Sequence, residues 1–103
     1  MDSRDQARSK LTELRGRFEE RLGQRLERLE QLVAAARHDA TPGALAEAIG
    51  VAHRLAGTAG SYGFVQVGES AAGLERALQR IAGGEDEWSA AEDALARARL
   101  AGP

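Results

Sequence analysis

Residues 64–84 read FVQVGESAAGLERALQRIAGG, and this stretch decides the fold. Val67, Ala71, Leu74, Leu78 and Ile81 recur at a 4-3-4-3 spacing, which places them on one face of an α-helix and fits no strand alternation. The spacing predicts a helix that opens around Phe64 and is closed by Gly83-Gly84 as its C-cap. Downstream, a helix starting near Asp86 places Trp88, Ala91, Leu95 and Ala98 inward and frays at Gly102-Pro103. Upstream, Thr41 suits an N-cap and Pro42 a first helical turn, opening a helix over about 42–61. This helix is expected to bury Leu45, Ala48, Ile49, Ala52, Leu55, Ala56 and Ala59.

The first helix is expected over roughly 4–37. From Leu11 its apolar positions are Leu14, Phe18, Leu22, Leu26, Leu29, Leu32, Val33 and Ala36, three and four apart. At about 1.5 Å per residue it would reach roughly 50 Å, well beyond its neighbours. Its first third therefore overhangs the bundle or breaks near Gly16 or Gly23. Short connections imply antiparallel neighbours. The expected fold is all-α: an antiparallel up-down four-helix bundle with a long or broken N-terminal helix. One helical domain should span 1–103, with an N-terminal overhang of about 1–16.

Composition agrees with that class and narrows function. With 103 residues, only two prolines and few β-branched side chains, the chain suits a single helical unit. Fourteen basic and sixteen acidic residues leave a net charge of −2, which gives no electrostatic reason to expect nucleic acid or an anionic membrane. A protein partner is expected instead. The absence of cysteine excludes a disulfide framework and a thiolate metal site, and two separated histidines make a poor metal cluster, so no metal and no cofactor are expected. The longest apolar run, Leu32 to Ala36, is far short of a membrane span. The charged start Met1-Asp2-Ser3-Arg4-Asp5 lacks a signal-peptide core, so a cytoplasmic location is expected.

Chemistry concentrates on the second helix. At about 100° per residue, His53 falls off the apolar stripe, and its own flank carries Ala46, Gly50, Gly57 and Gly60. Helical glycines cost on the order of 1 kcal/mol each relative to alanine, so this bare track needs a reason. Two explanations fit: another helix of the bundle packs closely there, or a partner must approach the imidazole. In an antiparallel hairpin, residues at equal height have a constant sum, and His53 with Glu75 centres on the Tyr62-Gly63-Phe64 turn. Glu75 on the third helix could thus accept a hydrogen bond from the ring's Nδ1–H. That would fix the tautomer and leave the Nε2 lone pair facing outward. The competing reading pairs Glu75 with a surface arginine.

The segment His53-Arg54-Leu55-Ala56-Gly57-Thr58-Ala59-Gly60-Ser61-Tyr62-Gly63-Phe64 resembles the phosphorylation-site signature of the histidine phosphotransfer family, His-x-Leu-Lys-Gly followed by small residues and a glycine. It is particularly similar to the version in chemotaxis histidine kinases. Leu74-Glu75 matches the family's Leu-Glu pair on the following helix, and helix order fits over about residues 11–100. The resemblance implies that His53 is a phosphoacceptor, with Glu75 orienting its imidazole. It would pass a phosphoryl group between a kinase or receiver domain and a response-regulator receiver aspartate in two-component signalling. Ala56 stands where the family has lysine, which leaves Arg54 and Arg76 to face the phosphoryl charge, beside Gly50, Gly57 and Gly60 facing the partner.

No nucleotide-binding motif is present, and Gly57, Gly60 and Gly63 follow a helix rather than a strand, so an autonomous ATP-dependent kinase is not expected. The divalent metal that such a transfer needs would come from the partner's acidic pocket. A rival reading is a non-phosphorylated docking module of the same shape that binds a receiver or kinase domain, and Ala56 is its best support. A further reading is a dimer through the overhanging helix around Leu11 and Leu14. Arg17, Arg21, Arg25 and Arg28 form a basic ridge, read first as a solvated face paired with glutamates and second as a docking surface. His38, in the last turn of the first helix, is read as a cation favoured by the helix dipole.

Overall fold

High helix propensity broken only by glycine- and proline-containing connections produces four helices in the computed structural model, which describes residues 3–103. Met1 and Asp2, part of the charged start, lie outside the described residues. The elements are α1 (Ser3–His38), α2 (Ala44–Ala59), α3 (Val65–Ala82) and α4 (Trp88–Ala101), with a 3₁₀ turn at Gly60–Tyr62 after α2. Helix α1 packs on α2 and α4, and α3 packs on the same two, which closes an up-down four-helix bundle. Leu22, Leu29, Leu55, Leu74 and Leu78 sit fully buried at its centre.

Gly16 and Gly23 do not interrupt α1, which runs unbroken for 36 residues along a molecule 57 Å in its longest dimension. The overhang expectation therefore replaces the break. The first buried residue of α1 is Phe18, and the apolar stripe N-terminal to it has nothing to cover: Leu11 is 66% and Leu14 46% exposed.

The α1–α2 connection differs from the expected capping. Thr41 is not the N-cap, and Pro42 is not in the first helical turn. Gly43 precedes α2 at φ +80°, and Thr41 contributes its carbonyl, which accepts the Ala44 N–H at 3.2 Å. A positive φ of that size suits glycine, so the helix cannot begin before Ala44. Helix α2 buries Ala44, Ala48, Ala52, Leu55 and Ala59, whereas Leu45, Ile49 and Ala56 are only half-buried. Helix α4 starts at Trp88 rather than near Asp86, with Trp88 half-buried.

The other two turns end in Schellman geometry. At Gly83-Gly84 the Glu85 N–H reaches the Arg80 carbonyl and the Gly84 N–H reaches that of Ile81, both at 3.0 Å, so the expected glycine cap is present. After α2 the Phe64 N–H donates to the Ala59 carbonyl at 2.9 Å and the Gly63 N–H to that of Gly60 at 3.1 Å, with Gly63 at φ +89°. This turn is held against α1 by rings: Phe18 stacks on Tyr62 with centroids 4.3 Å apart and touches Phe64 at 5.7 Å. Arg15 covers the outer face of Phe64, its guanidinium carbon 5.5 Å from the ring centre. The clasp fixes where the α2–α3 hairpin reverses, and hence which residues of the two helices stand level.

Candidate functional site: a histidine on an open glycine track

The geometry of the hairpin puts His53 and Glu75 at one height. His53 Nδ1 lies 2.8 Å from Glu75 Oε2. An ionised carboxylate only accepts, so Nδ1 carries the hydrogen of this bond, and in the neutral ring the lone pair is then on Nε2. The two partners differ in setting: the His53 side chain is 73% exposed, whereas that of Glu75 is 18% exposed. Gln79, one turn on, places Nε2 3.5 Å from the same Glu75 oxygen. The carboxylate is thus set into the α3 surface and the imidazole stands out from α2 into solvent. Among the described residues, no arginine makes an ion pair with Glu75, so the competing pairing does not occur.

The glycine track is open. A Cβ added at Gly57 or Gly60 would meet nothing within 4 Å, and one at Gly50 would meet only the flexible end of Arg54, at 3.5 Å. A side chain at any of the three would not press on a neighbouring helix, although the Gly60 backbone itself meets Gly68 of α3, so helix packing does not explain why these positions are glycine. The glycine that packs is Gly68 of α3, whose added Cβ would lie 3.5 Å from the Ala56 carbonyl oxygen and from the Gly60 nitrogen. Sequence reasoning overlooked Gly68, although its place between Val67 and Ala71 on the buried stripe was a signal. Gly68 lets α3 lie close against α2, which brings Glu75 within reach of His53.

Of the two arginines, Arg54 bends back one turn over Gly50 and so lies along the His53 flank. Arg76 turns the other way. It lines a groove of about 490 Å³ between α3 and α4 with Glu69, Gly73 and Arg97. Ala56 is half-buried, its carbonyl oxygen beside Gly68, and leaves no cation at its position. Thr58 returns its hydroxyl hydrogen to the Arg54 carbonyl, one turn back. His38 is the last residue of α1 and is exposed. Among the described residues, no group of three or more histidine or carboxylate side chains could hold a metal ion, and no helix is long and apolar enough to cross a membrane.

A helical bundle that presents an exposed histidine in mid-helix, its ring braced by a carboxylate on the next helix, has the architecture of a phosphotransfer module. Comparison with known families agrees: the model of the Hpt domain matches residues 13–101, and the chain belongs to that family. Hpt domains carry out histidine phosphotransfer in two-component signalling and interact with receiver and kinase domains in phosphorelays. No curated protein and no solved structure matches the chain.

Proposed function

We propose that His53 is the phosphoacceptor of this domain and carries a phosphoryl group between a kinase or receiver domain and the aspartate of a response-regulator receiver. One observation carries the reading: Glu75 occupies Nδ1 of a ring that is otherwise in solvent, which directs the nucleophilic lone pair of Nε2 outward. In the transfer, Nε2 attacks phosphorus, an N–P bond forms, and the P–O bond to the donor aspartate breaks to leave its carboxylate. The Nδ1 hydrogen stays in place, and Glu75 stabilises the positive charge that the ring acquires. Passage to a receiver aspartate is the same step reversed. The divalent cation that shields the reacting oxygens belongs to the partner's acidic pocket.

In this reading Gly50, Gly57 and Gly60 keep the α2 surface low so that the partner's phosphorylated pocket can reach the imidazole. Arg54, folded along the same flank, is better placed than Arg76 to meet the phosphoryl oxygens. The chain acts as one domain over 1–103 in the cytoplasm, as an intermediate that receives its phosphoryl group and binds no ATP of its own. Ala56 favours a second reading, a docking module of the same fold that binds a receiver or kinase without being phosphorylated.

Incubation with a panel of labelled phospho-receivers separates the two. The transfer reading expects an acid-labile, base-stable phosphate on the wild-type chain and none on His53→Gln. Because the side chain is exposed, that variant should keep its stability within about 0.5 kcal/mol. Label on His53→Gln would show that the phosphoacceptor is another residue and overturn the assignment, and none on the wild type from any receiver or kinase would transfer the case to the docking module.

A further inference from the structure

The basic ridge of α1 is not the self-neutralised face that its glutamates led us to expect. Arg28 bonds Glu47 of α2 at 3.0 Å, and Arg37, Arg80 and Arg99 each have a carboxylate partner. Arg17, Arg21 and Arg25 make no ion pair among the described residues, although Glu13 and Glu20 lie within a turn. Instead the three line a cleft of about 230 Å³ with Leu14, Thr58 and Tyr62. Thr58 follows His53 by five positions, about 7.5 Å along α2 and about 140° around it, so the cleft lies on the α1 side of α2 and the imidazole on the α3 side, with the open face of Gly50 and Gly57 between them.

Charge is also divided along the molecule. Residues 3–25 carry seven basic and four acidic side chains, whereas 26–103 carry seven basic and eleven acidic. An unpaired cationic patch on an otherwise acidic protein raises the local concentration of anions and steers them to that place. Its dimensions choose the anion. Arg17 to Arg25 is eight residues, about 12 Å along the helix axis, too long for a single phosphate to bridge. That length matches carboxylates repeated one turn apart on another helix, and the exposed Leu14 in the same cleft offers such a helix an apolar seat. A second copy of this chain would bring its own basic end to the same place, and like charges there repel.

We infer that Arg17, Arg21 and Arg25, with Leu14, form a docking surface for an acidic helix of the protein that exchanges the phosphoryl group with His53. The ridge runs from the base of the overhang along the packed part of α1, so a partner seated over the open face of α2 would meet the ridge on one side and the imidazole on the other. The inference rests on the phosphotransfer reading only for the identity of the partner.

The test compares the full chain with a variant carrying Arg17→Glu, Arg21→Glu and Arg25→Glu. A glutamine version of the same three substitutions serves if charge reversal disturbs folding. Chemical labelling by phosphoramidate, a small donor that needs no docking, should be equal in all forms. Transfer from the receiver domain that exchanges fastest in a panel should fall about tenfold at low ionic strength, with the difference closing as salt is raised. Equal transfer with equal salt dependence would overturn the inference, as would arginine-dependent binding of an oligonucleotide or arginine-dependent dimerisation. A wild type that takes no label from phosphoramidate or any receiver would end the phosphotransfer reading alone. The ridge would then be judged by calorimetric binding of the unphosphorylated receivers: lost on charge reversal, it stands, and unchanged, it falls.

Discussion

Glu75 holds the Nδ1 side of His53 at 2.8 Å from a position that is itself mostly covered, while Gln79 approaches the same oxygen at 3.5 Å. The less mobile partner is therefore the carboxylate, and it sets the ring's tautomer and its direction. Removing it leaves Nε2 with its lone pair but without orientation or charge compensation. Glu75→Ala should slow phosphoryl transfer by about 10- to 100-fold without abolishing it. That is the range expected for losing a charged hydrogen bond of about 1.5–3 kcal/mol. Single-turnover transfer from a phospho-receiver measures this, and a complete loss would mean that Glu75 takes part in the chemistry itself.

Gly57 and Gly68 should respond in opposite ways to the same substitution. Open space surrounds Gly57, so Gly57→Leu should leave thermal stability unchanged or slightly raised, since glycine inside a helix costs up to about 1 kcal/mol. Transfer should nevertheless be blocked, because the new side chain stands where the partner must come. Gly68→Leu would drive a branched side chain into the backbone of α2 and should cost about 1–3 kcal/mol. Paired melting curves and transfer assays read both, and retained transfer in Gly57→Leu would mean that the open track serves another purpose.

Ala56 lies one turn from His53, half-buried against the α2–α3 seam. In Ala56→Lys the aliphatic stem can run along that seam while the ammonium reaches water near the imidazole. Transfer should quicken by roughly twofold to tenfold, as expected for about 0.5–1.4 kcal/mol of added charge stabilisation at an exposed site. A slower variant would show that Arg54 already supplies the cation and that a second one interferes.

Ala40 holds φ +48°, a left-handed conformation that side chains with a Cβ adopt at a cost of about 1–2 kcal/mol. The strain lets the chain turn so that the Thr41 N–H reaches the Ala35 carbonyl at 3.2 Å. Ala40→Gly should relieve part of it and stabilise the domain by about 0.5–1 kcal/mol, raising Tm by roughly 2–8 °C, with phosphoryl transfer unaffected.

The helices were legible where an apolar period ran without interruption, as from Val67 to Ile81, because burial and periodicity say the same thing there. Their ends were less so. Thr41-Pro42 has the composition of a helix start, but the backbone reverses through Ala40 and Gly43, and a left-handed alanine leaves no mark in a sequence. The level placement of His53 and Glu75 followed from hairpin symmetry about residues 62–64. The cause of that symmetry did not: Phe18 lies more than 40 positions from Tyr62, and no local pattern reveals that the two rings stack. Whether Arg54 or Arg76 shares the His53 flank also escaped, since long side chains choose their direction from neighbours on other helices.

The unbroken α1 joins two very different stabilities in one element. Between Ser3 and Arg17 every residue is exposed, and a helix of that length without packing is marginal in water. From Leu22 to Val33 the same helix supplies the centre of the core. Amide hydrogens along it should therefore exchange on a gradient: within seconds near the tip, at rates set by fraying, and only through global unfolding at Leu26 and Leu29. Whatever settles on the tip would slow exchange there, and its footprint could be read residue by residue along a single helix.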